Sequence, residues 1–264
     1  MYLISDTDRA DGFRWRCPVC RKHTDIRVGS FMEYGNVSPV KLLKLLYLWA
    51  NDWEERPCAE MTGLSVPTVS LHFQRFRLAC LLWVWAHPVA IGGPGHIIEV
   101  DETQLSRKRR AMGRALPGSD IWVYGGIDRD TGERFMEVVP DRSTRTLMKV
   151  TERHVEPGTD IYHDSWPAYK FAAWGGASPW DDHVVNHHEG FVNPVTGVHT
   201  QNVERMWRSF KDKKVRAQGI PRDDAPGYCA EHLLRQQWKT GNPFEEAIKV
   251  MKDVSWAKIR QVIR

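Results

Sequence analysis

The sequence predicts an α/β protein in which a mixed five-stranded sheet with helices follows a smaller helical region. Three observations point there. Apolar residues recur at helical spacing through residues 38–85, and β-branched and aromatic runs begin at His96. Between the two patterns stand Pro88 and the GGPG at 92–95, a linker composition. With 264 residues and 42% hydrophobic content, the chain can bury one sizeable core and hold one small appended domain.

Residues 1–37 read as a partial zinc-ribbon-like segment. In GFRWRCPVCRKHTDIRVGSF (12–31), Cys17 and Cys20 form one CxxC flanked by aromatic and basic residues. A tetrahedral zinc site needs four ligands, and Cys58, Cys80 and His23 lack a ribbon's spacing. Zinc at Cys17 and Cys20 is one reading; a decayed ribbon, or one whose first half lay upstream of Met1, is the other.

Residues 38–90 read as a helical helix-turn-helix region for DNA binding. ERPCAEMTGLSVPTVSLHFQRFR places Ala59 in a first helix, Gly63 at the turn, Ser65 as a cap and Val69 in the packing face of the second helix. Arg75 and Arg77 on that helix could reach phosphates, although three-helix units without DNA contacts share the pattern.

Residues 96–217 carry the sheet. HIIEVDETQL (96–105), IWVYGGIDRD (121–130) and ERFMEVVP (133–140) are three successive strands, the last two joined by an Asp-Thr-Gly turn. Ser143 caps a helix to about residue 155. TDIYHD (159–164) is a fourth strand, WPAYKFAAW a short helix, HVVNH a fifth strand, and 198–215 a longer helix with Val203, Met206, Trp207 and Phe210 on its apolar side. Three strands, helix, strand, helix, strand, helix is the ribonuclease H order. Residues 218–264 close the chain with helices near 223–239 and 243–262.

Asp101 sits inside an apolar strand, where a charge is expensive unless a cation or donors meet it. Asp164 ends the fourth strand and Glu204 lies on the long helix, with 62 residues between the aspartates and 39 between Asp164 and Glu204. In the ribonuclease H order the first and fourth strands are neighbours, so their carboxylates converge at one edge of the sheet, and the helix brings the third carboxylate against them. Three such groups repel unless metal neutralises them. Magnesium suits oxygen ligands, and two ions roughly 3.5 to 4 Å apart can activate an attacking oxygen and stabilise a departing one in phosphoryl displacement. Asp101 is read as the bridging ligand, with Asp164 and Glu204 each supporting one ion.

IIEVDET, the glycine-bearing strand WVYGGIDR, YHDSWPAY, VNHHEGFVNPVTGVHTQNVERMWRSFK and the preceding half-ribbon together resemble the Merlin group of eukaryotic transposons and related bacterial insertion-sequence transposases. The resemblance runs from about residue 12 to residue 240. It implies a cut-and-paste DDE transposase with Asp101, Asp164 and Glu204 as catalytic and metal residues. It further implies two Mg²⁺ or Mn²⁺ ions, transposon terminal inverted repeats and target DNA as partners, and a homo-oligomer on paired ends.

Around that triad, Glu99, Glu102, Asp128, Asp181, Asp182 and Glu189 read as solvated or turn residues. His199, near the helix start, either positions a water or phosphate or makes a structural hydrogen bond. The spacing of His163, His187 and His188 does not support zinc. The basic run with Arg107, Lys108, Arg109, Arg110 and Arg114 is a candidate DNA clamp or a solvated loop, and Arg208 and Lys211 extend a positive surface along the Glu204 helix. Such contacts supply affinity without sequence specificity.

Other classes fit less well. Five cysteines, an odd number, argue against a disulfide scaffold. The opening residues lack a basic segment followed by an apolar run, and the longest apolar stretch, about 78–86, is far short of a span, so no membrane partner is expected. Twelve tryptophans read as packing anchors, with base stacking by one or two as the alternative. The expected place is the nucleus in a eukaryote and the cytoplasm or nucleoid in a bacterium. The alternative to an active transposase is a catalytically inactive or host-co-opted DNA-binding protein.

Overall fold

The computed structural model describes residues 1–9, 11–33, 35–106, 120–169, 178–185, 199–211, 220–254 and 256. The chain divides into two compact units, one of residues 1–86 and 234–264, the other of residues 87–233.

The first unit begins with β1 (Tyr2–Ser5), β2 (Phe13–Arg16) and β3 (His23–Asp25) in one antiparallel sheet, an arrangement that the half-ribbon reading left unassigned. The CxxC forms the β2–β3 turn, where Cys17 N–H donates to Lys22 O at 2.9 Å. Arg27 pairs with Asp11 and donates to Val37 O at 2.8 Å, tying this sheet to the chain that leaves it. Helix α1 (Pro39–Ala50) starts at Ser38, whose hydroxyl accepts Lys41 N–H. Helix α2 (Glu55–Thr62) stops at Gly63, whose φ of 63° is left-handed and suits a residue without Cβ. Ser65 accepts Thr68 N–H at the start of α3 (Val66–Ala86), and Ala59 and Val69 are both buried.

In the second unit β4 (Ile91–Gly92) pairs in parallel with β8 (Val155–Glu156), a small sheet that no sequence pattern announced. The main sheet is built from β5 (Ile97–Ser106), β6 (Asp120–Asp128), β7 (Arg134–Val139), β9 (Asp160–Asp164) and β10 (Asp181–Val185), in the order β10-β9-β5-β6-β7. β5, β6 and β7 form an antiparallel meander, and β9 and β10 run parallel to β5. That is the mixed five-stranded ribonuclease-H-like sheet the sequence predicts.

Alternation along the strands supplies a core on each side. One face holds Ile98, Val100, Tyr124 and Phe135 against Leu147 and Val150 of α4 (Thr144–His154). The other holds Leu105, Val123, Ile127 and Met136 against Val203, Met206, Trp207 and Phe210 of α5 (Gln201–Phe210). Gly125 and Gly126 of β6 allow this closeness: a Cβ on Gly125 would lie 2.6 Å from Phe135 O and 2.9 Å from the Trp207 ring.

Three boundaries differ from the sequence reading. α5 begins at Gln201, because its first turn is bound from the sheet; β10 begins two residues before HVVNH; and only Pro167–Tyr169 of the short helix is described, as one 3₁₀ turn. Helix α6 (Ala225–Trp238) crosses from the second unit into the first, where Arg235 donates to the Trp49 and Ala50 carbonyls at the end of α1. α7 (Pro243–Asp253), capped by Asn242, packs on α1 and α3.

Candidate functional site

Strand register brings the two aspartates together. Glu99 pairs with Tyr162 across β5 and β9, so Asp101 and Asp164 lie level, two residues further along parallel neighbours. Alternation puts both on the face covered by α5, the face of Glu99 and Tyr162. Gly125 lies directly across from Asp101 on β6, and the Trp207 ring occupies the space that a Cβ there would claim. Glu204 precedes Trp207 by one helical turn, so α5 carries it over the same strands.

Electrostatics mark this end of the sheet. Burial, with the neighbouring Glu102 and Asp164 charges, pushes the Asp101 carboxyl up to about 7; Glu102 N–H, at 2.8 Å, and the Trp207 indole partly offset the rise. Glu102 itself is pushed up by burial and by Asp164. One of its oxygens accepts the Tyr169 hydroxyl, and the other is buried without a hydrogen-bond partner among the described residues. Glu204 is half-buried, and it forms no group with Asp101 and Asp164 whose ligand atoms all lie within 4.8 Å of one another. The carboxylates of Asp101 and Asp164, short of donors and repelling each other, offer the hard oxygen ligands that a divalent cation takes.

The acids beside the triad correct the sequence reading in part. Glu99 is completely buried and Asp128 is 1% exposed, so neither is solvated. Glu99 accepts Asn202 N–H at 2.7 Å, Val203 N–H at 3.0 Å, Asn202 Nδ2 at 2.8 Å and Arg129 Nε at 2.6 Å. A strand carboxylate thus caps the amides that open α5. Arg129 also donates to His199 O at 2.6 Å and lies 4.5 Å from the centre of the Tyr162 ring. The available sequence signal was spacing: Glu99 is two residues from Asp101 and so shares its face. His199 Nδ1 stands 3.4 Å from Glu99, which gives this histidine a structural contact. Asp128 accepts Asp130 N–H and Thr131 N–H, locking the β6–β7 turn.

Among the described residues, one group of three ligand-type side chains brings its ligand atoms within 4.8 Å of one another: His96, Asp128 and Asp130. It lies at the turn end of β6 and not at Asp101. Asp128 is already engaged there by His96 Nδ1 at 2.9 Å and by the turn amides. Cys17 and Cys20 belong to no such group; Cys17 is held low by the Cys20 and Val19 amides.

The basic candidates divide. Arg75 and Arg77 lie half-buried on α3, while Arg208 is exposed on α5 and Lys211 ends that helix. Arg107, Lys108, Arg109, Arg110 and Arg114 lie outside the described residues, as do His187, His188 and Glu189. No helix among the described residues is long and apolar enough to cross a membrane.

Residues 94–236 match the ISXO2-like transposase domain family. The male abnormal protein mab-31 of Caenorhabditis elegans is 24% identical over 266 aligned positions, which take in 89% of this chain and 57% of that protein. The chain therefore spans just over half the length of this curated relative. Two solved structures are similar at 15% identity. The catalytic core domain of BIV integrase has a TM-score of 0.34 and covers 58% of this chain and 94% of its own. A chain of the simian T-cell lymphotropic virus intasome in complex with PP2A regulatory subunit B56 gamma has a TM-score of 0.32 and covers 72% of this chain and 66% of its own.

Proposed function

We propose that this chain, which belongs to the ISXO2-like transposase family, cuts DNA at transposon ends and joins the freed strand to target DNA in a metal-dependent, cut-and-paste reaction. The observation that carries this reading is the level pairing of Asp101 and Asp164 on parallel neighbours beneath the helix of Glu204. Asp101, Asp164 and Glu204 would hold two divalent ions, Mg²⁺ or Mn²⁺, which would supply Lewis acidity to both the attacking and departing oxygens.

The remaining roles belong to the chain itself. Glu99 and Arg129 hold the start of α5, the helix that carries Glu204, against the strands. Arg208 and Lys211 on α5, together with the 107–114 basic segment, take phosphates of the bound strand, and Arg75 and Arg77 serve the helix-turn-helix region. The DNA partners are terminal inverted repeats and target DNA, engaged by a homo-oligomer on paired ends. Cys17 and Cys20 alone do not make a zinc site.

The test uses labelled DNA ending in the element's terminal repeats, supplied both intact and pre-cut, with Mg²⁺. Wild type is expected to cut the first and join the second. Asp101→Ala, folded to the same degree, is expected to do neither. One observation favours a second reading, a transposase-derived DNA-binding protein that no longer cuts: the worm relative is named for a male abnormality. Tight binding of the ends with no product from wild type would select it.

A further inference from the structure

We propose that Trp166 is a stacking platform for one unpaired nucleobase of the DNA strand at the carboxylate centre, an inference that rests on the DNA-processing reading above. The residue follows Asp164 by two positions, and its backbone N–H donates to Asp164 Oδ1 at 2.9 Å. The main chain at Trp166 is thereby tied to one of the two paired aspartates. It is nevertheless 40% exposed, whereas Trp180 and Trp207 in the same unit are each 5% exposed. Packing explains those two rings. Trp166 instead keeps part of its ring in water two residues from Asp164.

What stands behind the ring gives it a purpose. The Arg142 guanidinium lies 4.3 Å from the centre of the Trp166 ring and 3.9 Å from that of Trp122. Trp122 in turn packs on the core between the sheet and α4. The sequence of core, Trp122, Arg142 and Trp166 is a layered support that backs one face of the outer ring, and it places a cation directly behind it. Such a surface suits the flat face of a nucleobase and the charge of its backbone. In a paired duplex that face is covered by its neighbours, so the occupant is a base at a strand end or one drawn out of the stack.

The experiment is fluorescence anisotropy with two labelled 20-base-pair duplexes, one bearing a three-nucleotide thymidine 3′ overhang and the other the same overhang without bases. For one stacked base, wild type is expected to prefer the thymidine overhang by roughly 5- to 150-fold. Trp166→Ala and Trp166→Leu, the second keeping apolar bulk, are expected to bind both duplexes as wild type binds the abasic one, and Trp166→Phe to retain part of the preference. An unchanged preference in the folded Ala or Leu variant overturns the proposal, as does a wild type that does not discriminate while still binding both duplexes. Failure of wild type to bind either duplex would instead remove the DNA-processing reading, and this proposal with it.

Discussion

Glu99 and Asp101 lie two residues apart on one face of β5, and their surroundings could hardly differ more. Glu99 is completely buried yet meets two helix amides, the Asn202 side chain and Arg129. Asp101 meets one strand amide, and it faces the charges of Glu102 and Asp164. A buried carboxylate is tolerable when donors and an opposite charge surround it. Where like charges gather instead, a divalent cation would offset their repulsion. One end of this seam therefore holds the helix, and the other gathers carboxylates with few donors.

The contrast breaks most visibly at Glu99. Glu99→Ala strands Arg129 and frees the first turn of α5, so urea denaturation is expected to show a loss of about 3–5 kcal/mol, as for other broken buried pairs. Glu99→Gln keeps an acceptor oxygen and is expected to lose less. A change in Glu99→Ala no larger than a surface substitution would mean that the helix start is held by something else.

Gly125→Ala tests the seam from the opposite strand. Its Cβ would press on Phe135 O and the Trp207 ring, so a loss of about 1–3 kcal/mol is expected, with cleavage falling further than stability alone requires because α5 carries Glu204. Equal activity at equal folding would separate helix spacing from the reaction.

The pH response of Asp101 sharpens the comparison. Its carboxyl is pushed up to about 7, above the unfolded value of roughly 3.9. The folded state then keeps its proton to higher pH, so in EDTA stability is expected to decline as pH rises from about 4 through 7. Asp101→Asn should flatten that decline, matching wild type near pH 4 and exceeding it above pH 7 in thermal melts. A variant whose stability tracks wild type at every pH would place the strain elsewhere.

The smallest effect is expected at the CxxC. Cys17→Ser should change stability by no more than about 0.5 kcal/mol with or without added zinc, because no third ligand joins the cysteines among the described residues. A large zinc-dependent shift in wild type alone would make the knuckle a real site.

The strands and helices that show a clean period were legible in the sequence. IIEVDET, WVYGGIDR and RFMEVV fall on β5, β6 and β7, and Ser143 caps α4. Asp101 stood out because a charge interrupts an apolar strand, and strand order then implied Asp164 as its neighbour. Glu99 was misread for a physical reason: its partners Asn202 and Val203 are more than 100 residues away, and nothing local distinguishes a carboxylate awaiting helix amides from one in water. The start of α5 was misplaced for the same reason, since a side chain from β5 helps to fix it. β4 and β8 are two residues each, too short to leave a periodic signal.

The most direct test is Mn²⁺ binding followed by electron paramagnetic resonance, comparing wild type with Asp101→Asn and His96→Ala at matched folding. The carboxylate centre predicts strong binding in wild type and His96→Ala and its loss in Asp101→Asn. Binding that survives Asp101→Asn and disappears in His96→Ala would contradict it and move the ion to the His96, Asp128 and Asp130 group.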